Sequence, residues 1–140
     1  MHDVTIYHNP ACATSRNTLA LIRHAGFEPQ VIEYLRKPPA KDKLRELVEA
    51  MDIPVRALLR VNGTPYVELG LDVPTLSDDE LIEVMLGHPV LINRPIVVTA
   101  RGTRLCRPSE AVLDILPVPQ LPPFTKEDGD VVIDTGERRG

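Results

Sequence analysis

Val4-Thr-Ile-Tyr-His8, then Asn9-Pro10-Ala11-Cys12, then a run through Leu19 and Ile22 to Gly26, then Val31-Ile-Glu-Tyr-Leu35: these four pieces decide the fold. The first alternates and is rich in β-branched residues, so it reads as a strand. Asn-Pro initiates a turn. Thr14 and Ser15 are placed to cap the helix that follows. Leu19, Ile22 and Ala25 or Gly26 mark one helical face, and Gly26 ends it. The last piece is a second strand. Strand, helix and strand within about 35 residues make a βαβ unit, so the two strands are expected to be parallel with a right-handed crossover.

Beyond Pro38-Pro39 the period changes. Leu44, Leu47, Val48 and Met51 keep the spacing of an amphipathic helix. Pro54 opens a short helix through Leu58, with Arg60 at or just past its end. Asn62-Gly63-Thr-Pro65 is a loop. Ser77 with Glu80 three residues on is a capping box, Leu81, Val84 and Met85 are that helix's apolar face, and Gly87-His88-Pro89 stops it. Pro95-Ile-Val-Val-Thr99 is a third strand, turned at Arg101-Gly102 into Thr103-Arg-Leu-Cys106. Ser109 or Pro108 starts a last short helix through Ala111–Leu116. Residues 1–117 therefore read as one domain with a helical insertion at about 40–90. Residues 118–140 read as a Pro-rich, partly irregular extension with Pro119, Pro122 and Pro123.

The composition agrees with one folded domain. The chain has 140 residues, 43% hydrophobic and 26% charged, which argues against disorder, collagen and coiled coil. A net charge of −4 offers no basic field for nucleic acid or an anionic membrane. Aromatic residues are only 4%, which further disfavours stacking on single-stranded bases. No apolar run reaches a membrane-spanning length, and no export signal is visible. Two cysteines are too few for a secreted disulfide scaffold, so the expected compartment is the cytoplasm. Arginine outnumbers lysine 12 to 4 in an acidic chain. Base composition of the gene is one cause; a need for planar, permanently charged groups that grip oxyanions is the other.

A cysteine at the first strand–helix turn and a proline opening the third strand are the layout of a thioredoxin-like fold: a small mixed sheet flanked by helices. In that fold Pro95 is cis and lies against the cysteine, delivering Arg94 to it. Cys12 stands just before a helix N-terminus, where unpaired N–H groups and the helix dipole favour an anion. His8 and Arg16, four residues to either side, lower a thiol's pKa if their charges are near. A thiolate there is a nucleophile, and the same N–H groups suit a tetrahedral oxyanion. Cys12-Ala-Thr-Ser15 is not C-x-x-C, so no resolving cysteine lies three residues on. Cys106, in an apolar strand, reads mainly as core. His2, His24 and His88 read as structural; no two share a metal-ligand spacing, and no metal site is expected.

His8-Asn-Pro-Ala-Cys12-Ala-Thr-Ser-Arg16 resembles the active-site loop of the glutaredoxin-coupled arsenate reductases, the ArsC family. Arg56-Ala-Leu-Leu-Arg60, Pro89-Val-Leu-Ile-Asn-Arg-Pro-Ile96 and Thr103-Arg-Leu-Cys-Arg-Pro-Ser-Glu110 are similar to that family as well. The resemblance implies a nucleophilic Cys12, a His8 that helps activate the thiol, and three arginines, Arg60, Arg94 and Arg107, that bind arsenate and stabilise its adducts. It implies glutathione as co-substrate, glutaredoxin as partner and no bound cofactor. Asn9, Thr14 and Ser15 either donate to the loop or anion or serve as turn and cap residues. Arg16 either reaches the anion or stays at the surface. Position 13 is Ala where the family usually has Gly; a positive φ there would cost about 1 kcal/mol. Two alternatives use the same fold. Spx-like regulators bind RNA polymerase without catalysis but typically carry C-x-x-C at this turn. A general glutathione-dependent thiol oxidoreductase would not need the arginines.

Overall fold

The computed structural model of the chain describes residues 3–117, 124–129 and 131–133. Two compact units are present, Met1–Glu33 with Arg94–Gly140 and Tyr34–Asn93. The helical segment expected at about 40–90 lies inside the second.

In the first unit, strand β1 (Thr5–His8) leads into helix α1 (Ala13–His24) and strand β2 (Gln30–Glu33). The chain re-enters it at Arg94 and forms β3 (Ile96–Thr99), β4 (Gly102–Leu105) and a 3-10 helix (Ser109–Asp114). The sheet order is β2-β1-β3-β4. β1 and β2 are parallel, as a βαβ unit requires, and β3 runs antiparallel to β1 and β4. This is the thioredoxin-like layout. The core of this unit is aliphatic: Val4, Ile6, Leu21, Ile22, Val97 and Val112 are each at most 1% exposed. Cys106 is part of it.

Register decides what meets at the sheet's end. Tyr7 pairs with Ile96, so His8 comes level with Pro95. Ile96 pairs with Leu105, so Pro95 comes level with Cys106, whose N–H donates to the Pro95 carbonyl at 2.9 Å. One residue further, Arg94 faces Arg107. The end of β1 and the open end of the distant β3–β4 hairpin thus lie side by side. The Arg94–Pro95 peptide is cis, as the layout implied; the Arg107–Pro108 peptide is cis too, which nothing in the sequence reading foresaw.

Helix α1 corrects two expectations. Thr14 and Ser15 do not precede it; they lie in its first turn, and Cys12 is the N-cap residue with extended backbone. Its buried face is Ser15, Asn17, Thr18, Leu21 and Ile22, with Leu19 only partly buried. The first half of this face meets a polar loop, so small polar residues fill it. Thr18 Oγ1, for example, donates to the Thr14 carbonyl at 2.8 Å. Apolar periodicity is blind to such a face. Ala13 is the first helical residue, and Asp52 is the only non-glycine residue with positive φ among those described, so Ala13 carries no such cost.

The final short helix starts at Ser109 as expected, but it is a 3-10 helix and ends at Asp114, before Leu116. The tail is more regular than the sequence implied: β5 (Phe124–Thr125) and β6 (Val131–Ile133) pair antiparallel. The irregular stretch expected at Pro119, Pro122 and Pro123 lies outside the described residues.

In the second unit, α2 (Lys41–Met51) buries Leu44, Leu47 and Val48, while Met51 is half-buried. A 3-10 helix (Val55–Leu58) follows, with Pro54 as its N-cap. α3 (Asp78–Gly87) opens on the expected capping box: Ser77 Oγ accepts the Glu80 N–H at 3.1 Å and Glu80 Oε1 accepts the Ser77 N–H at 3.0 Å. Leu81, Ile82 and Met85 are its buried face, with Ile82 in place of the expected Val84. A 3-10 turn (Pro89–Leu91) succeeds it. The chain just past the Val55–Leu58 helix is tied to the last residues of the segment. Leu59 bridges Ile92, the Arg60 N–H donates to the Leu91 carbonyl at 2.8 Å, and the Asn93 N–H donates to Leu58 at 2.8 Å.

Candidate active site

Cys12 closes the turn that Asn9-Pro10 begins. Its N–H donates to the Asn9 carbonyl at 3.0 Å, and its own carbonyl accepts the Arg16 N–H at 2.9 Å as α1 starts. Asn9 Oδ1 accepts the Ala11 N–H at 3.0 Å, an Asx-type contact that shapes the turn. The residue is buried, at 8% exposure. Burial alone pushes the thiol's pKa up. The Ser15 N–H, the charge of Arg94, the Arg107 guanidinium and the Thr14 N–H together outweigh it, and the thiol sits below its ordinary 9.0. Arg107 Nη1 lies 3.8 Å from Cys12 Sγ and also donates to the Arg94 carbonyl at 3.1 Å. One guanidinium therefore ties the sulfur to the backbone of the second arginine, just before β3.

Beneath the loop, Ser15 is fully buried and its Oγ is a hub. It accepts the Asn9 N–H at 3.0 Å and meets His8 Nδ1 at 2.6 Å. Burial lowers the His8 pKa below 6.5; Glu33 opposes that, and Arg23 and Arg16 add to it. The imidazole is thus neutral near pH 7. The contact that His8 makes is to Ser15 Oγ, in the first turn of the helix that Cys12 caps, and the Ser15 N–H is among the groups that lower the Cys12 pKa.

Cys106 is of the opposite kind. It is fully buried, and burial raises its pKa to about 12. A thiol this protonated and enclosed is inert to exchange near neutral pH.

Of the residues singled out in the sequence, the first unit brings together Cys12, His8, Asn9, Thr14, Ser15, Pro95, Arg94 and Arg107. Arg16 keeps close to the loop but turns outward: Nη1 donates to the Pro10 carbonyl at 2.9 Å, and Nε and Nη2 grip Glu127 at 2.9 and 3.0 Å. Arg60 belongs to the second unit, just past the 3-10 helix, where its carbonyl accepts from Thr64 Oγ1 at 2.9 Å. Glu127 and Asn17, whose Oδ1 accepts the Glu127 N–H at 3.1 Å, went unnoticed in the sequence. Glu127 lies in a polar tail 111 positions from Arg16, and no local signal links the two. Among the described residues no group of three His, Cys, Asp or Glu side chains is placed to hold a metal.

A cysteine at a helix N-terminus whose thiol pKa is lowered, with two guanidinium groups acting on it, on a thioredoxin-like sheet, is an arrangement suited to thiol chemistry on an oxyanion. The comparisons narrow this class. The ArsC family model matches residues 7–115, and the chain belongs to that family. It is 60% identical over 136 residues to an arsenate reductase of Rhizobium meliloti (strain 1021), covering 97% of each chain. It is 62% identical over 139 residues to an arsenate reductase of Yersinia enterocolitica, covering 99% of each. The solved arsenate reductase from Vibrio cholerae superposes with a TM-score of 0.79 at 46% identity, over 82% of this chain and 98% of that one.

Proposed function

We propose that this protein reduces arsenate to arsenite, with Cys12 as the nucleophile. The single observation that carries the reading is the position of Cys12, the N-cap residue of α1, with its sulfur contacted by Arg107 at 3.8 Å. Near-whole-chain similarity to proteins named arsenate reductase supports the choice of anion.

Arsenate is a tetrahedral oxyanion that arginine forks match in shape and charge. The Cys12 thiolate attacks arsenic, and one arsenate oxygen leaves as water. Glutathione then supplies the second sulfur. Each sulfur gives up one electron, arsenic(V) becomes arsenic(III), and Cys12 and glutathione are left joined as a mixed disulfide. Glutaredoxin reduces that disulfide and restores the thiol. An external thiol is needed because position 15 is Ser15 and Cys106 is enclosed. Arg94 and Arg107 neutralise charge on the arsenic oxygens along this path. His8 acts on the thiol through Ser15. Arg60 enters as the third arginine through the family resemblance of Arg56–Arg60. Free thiols suit a reducing compartment, the cytoplasm.

The test is arsenate-dependent NADPH consumption in the presence of glutathione, glutaredoxin and glutathione reductase. The parent protein is expected to turn over, and Cys12→Ser is expected to lose turnover while keeping its circular dichroism and melting temperature. Normal turnover by Cys12→Ser, or arsenate-independent consumption by the parent, overturns the reading.

A further inference from the structure

Arg16 has a use that neither the loop nor the proposed reaction accounts for. Three of its five N–H groups are engaged, one on the Pro10 carbonyl and two on the two oxygens of Glu127. It therefore bridges the cysteine turn to the tail. The tail is itself anchored around this contact. The Glu127 N–H donates to the buried Asn17, Lys126 pairs with the partly buried Glu110 at 2.7 Å, and Phe124 packs on the core beside His24. Glu127 is thus a carboxylate held at a fixed place, not a side chain on a loose end.

We propose that Glu127 is a positioning residue for the Cys12 sulfur: by gripping the Arg16 guanidinium edge-on it keeps that group against the Pro10 carbonyl, and so fixes the turn that presents the sulfur to the first N–H groups of α1. The proposal rests on the reading of Cys12 as a thiolate nucleophile. Geometry carries it. The bidentate fork sets the plane of the guanidinium, and that plane sets which way the third N–H points. Arg16 is meanwhile not aimed at the sulfur, unlike Arg107. Both partners are about half exposed, so the pair adds little to global stability and its effect must be read at the sulfur.

The sign of the effect separates positioning from simple charge. The charged groups that act on the sulfur are Arg94, which precedes β3, and Arg107, which follows β4, with Arg16 from α1. Removing the Glu127 carboxylate while nothing moves takes away a negative charge, which favours the thiolate and lowers the pH midpoint of Cys12 alkylation. Releasing the turn instead costs the sulfur its N–H donors and raises the midpoint.

The experiment is the pH dependence of Cys12 alkylation by iodoacetamide, read by mass spectrometry on the full chain. Glu127→Gln and Arg16→Lys are each expected to raise the midpoint by roughly half a unit. Asp128→Asn, which removes the neighbouring carboxylate, is expected to give no rise. An unchanged or lowered midpoint in Glu127→Gln, or an equal rise in Asp128→Asn, overturns the proposal. A parent midpoint at or above an ordinary thiol's defeats the thiolate reading itself, so the two failures are distinguishable.

Discussion

At the scale of single residues, two cysteines in one small protein are driven in opposite directions by where they stand. Cys106 has hydrocarbon around it and no donor strong enough to offset burial. Cys12 is also buried, yet backbone N–H groups and two guanidinium groups reverse the balance. His8 shows the same competition with a different winner. Its folded pKa lies below 6.5, so between 6.5 and that lower value the unfolded chain binds a proton that the folded chain refuses. Stability therefore rises with pH through this window and is lost on acidification. Thermal unfolding from pH 7 downward is expected to show a fall that begins near 6.5, and His8→Gln is expected to flatten it. An unchanged slope in that variant would mean that another group sets the acid limit. Cys12 stood out as the candidate nucleophile from residue types alone, because a cysteine at a polar strand–helix turn has few bland uses. The role of Ser15 did not: serine in a first turn looks like a cap, and only the structure shows it buried under His8 and Asn9.

At the scale of elements, the strands and the two long amphipathic helices followed from period and punctuation. Ser77 with Glu80 marks the start of α3 directly. The misreadings fall where packing overrides pattern. The buried face of α1 runs Ser15, Thr18, Leu21, Ile22, and its polar half is invisible to a search for apolar residues. Leu21 of that helix is fully buried, in one core cluster with Ile6, Val97 and Val112. Leu21→Ala is expected to cost about 3 kcal/mol in chemical denaturation, since it leaves a cavity in a rigid aliphatic core. Leu19→Ala, at the partly buried position that sequence spacing favoured, is expected to cost clearly less. Equal losses would place the helix in the wrong rotation. The cis Arg107–Pro108 bond and the β5–β6 pairing had no sequence signal of their own.

At the scale of the whole molecule, the convergence of Arg94 and Arg107 on Cys12 is a product of register. Antiparallel pairing of β1 with β3 and of β3 with β4 brings positions 8, 95 and 106 to one level, and the arginines sit one step beyond. Spacing along the chain carries no trace of this, so residue roles at the site came from family resemblance first and geometry afterwards. A site assembled in this way exists only in the folded chain, and the arsenate proposed to bind there would be a ligand of the native state. Arsenate at 100 times its Kd is expected to stabilise the protein by about 2.7 kcal/mol, and Arg107→Ala is expected to lose most of that gain at the same concentration. A full gain in the variant would remove Arg107 from the site. The most direct measurement, however, concerns the sulfur itself: the rate of Cys12 alkylation against pH in the unaltered protein, with Cys106 scored separately by mass. A midpoint below 9.0 for Cys12, with Cys106 unreactive until far higher pH, is the expected result. A Cys12 midpoint at or above 9.0, or Cys106 reacting first, would contradict a thiolate held at the start of α1.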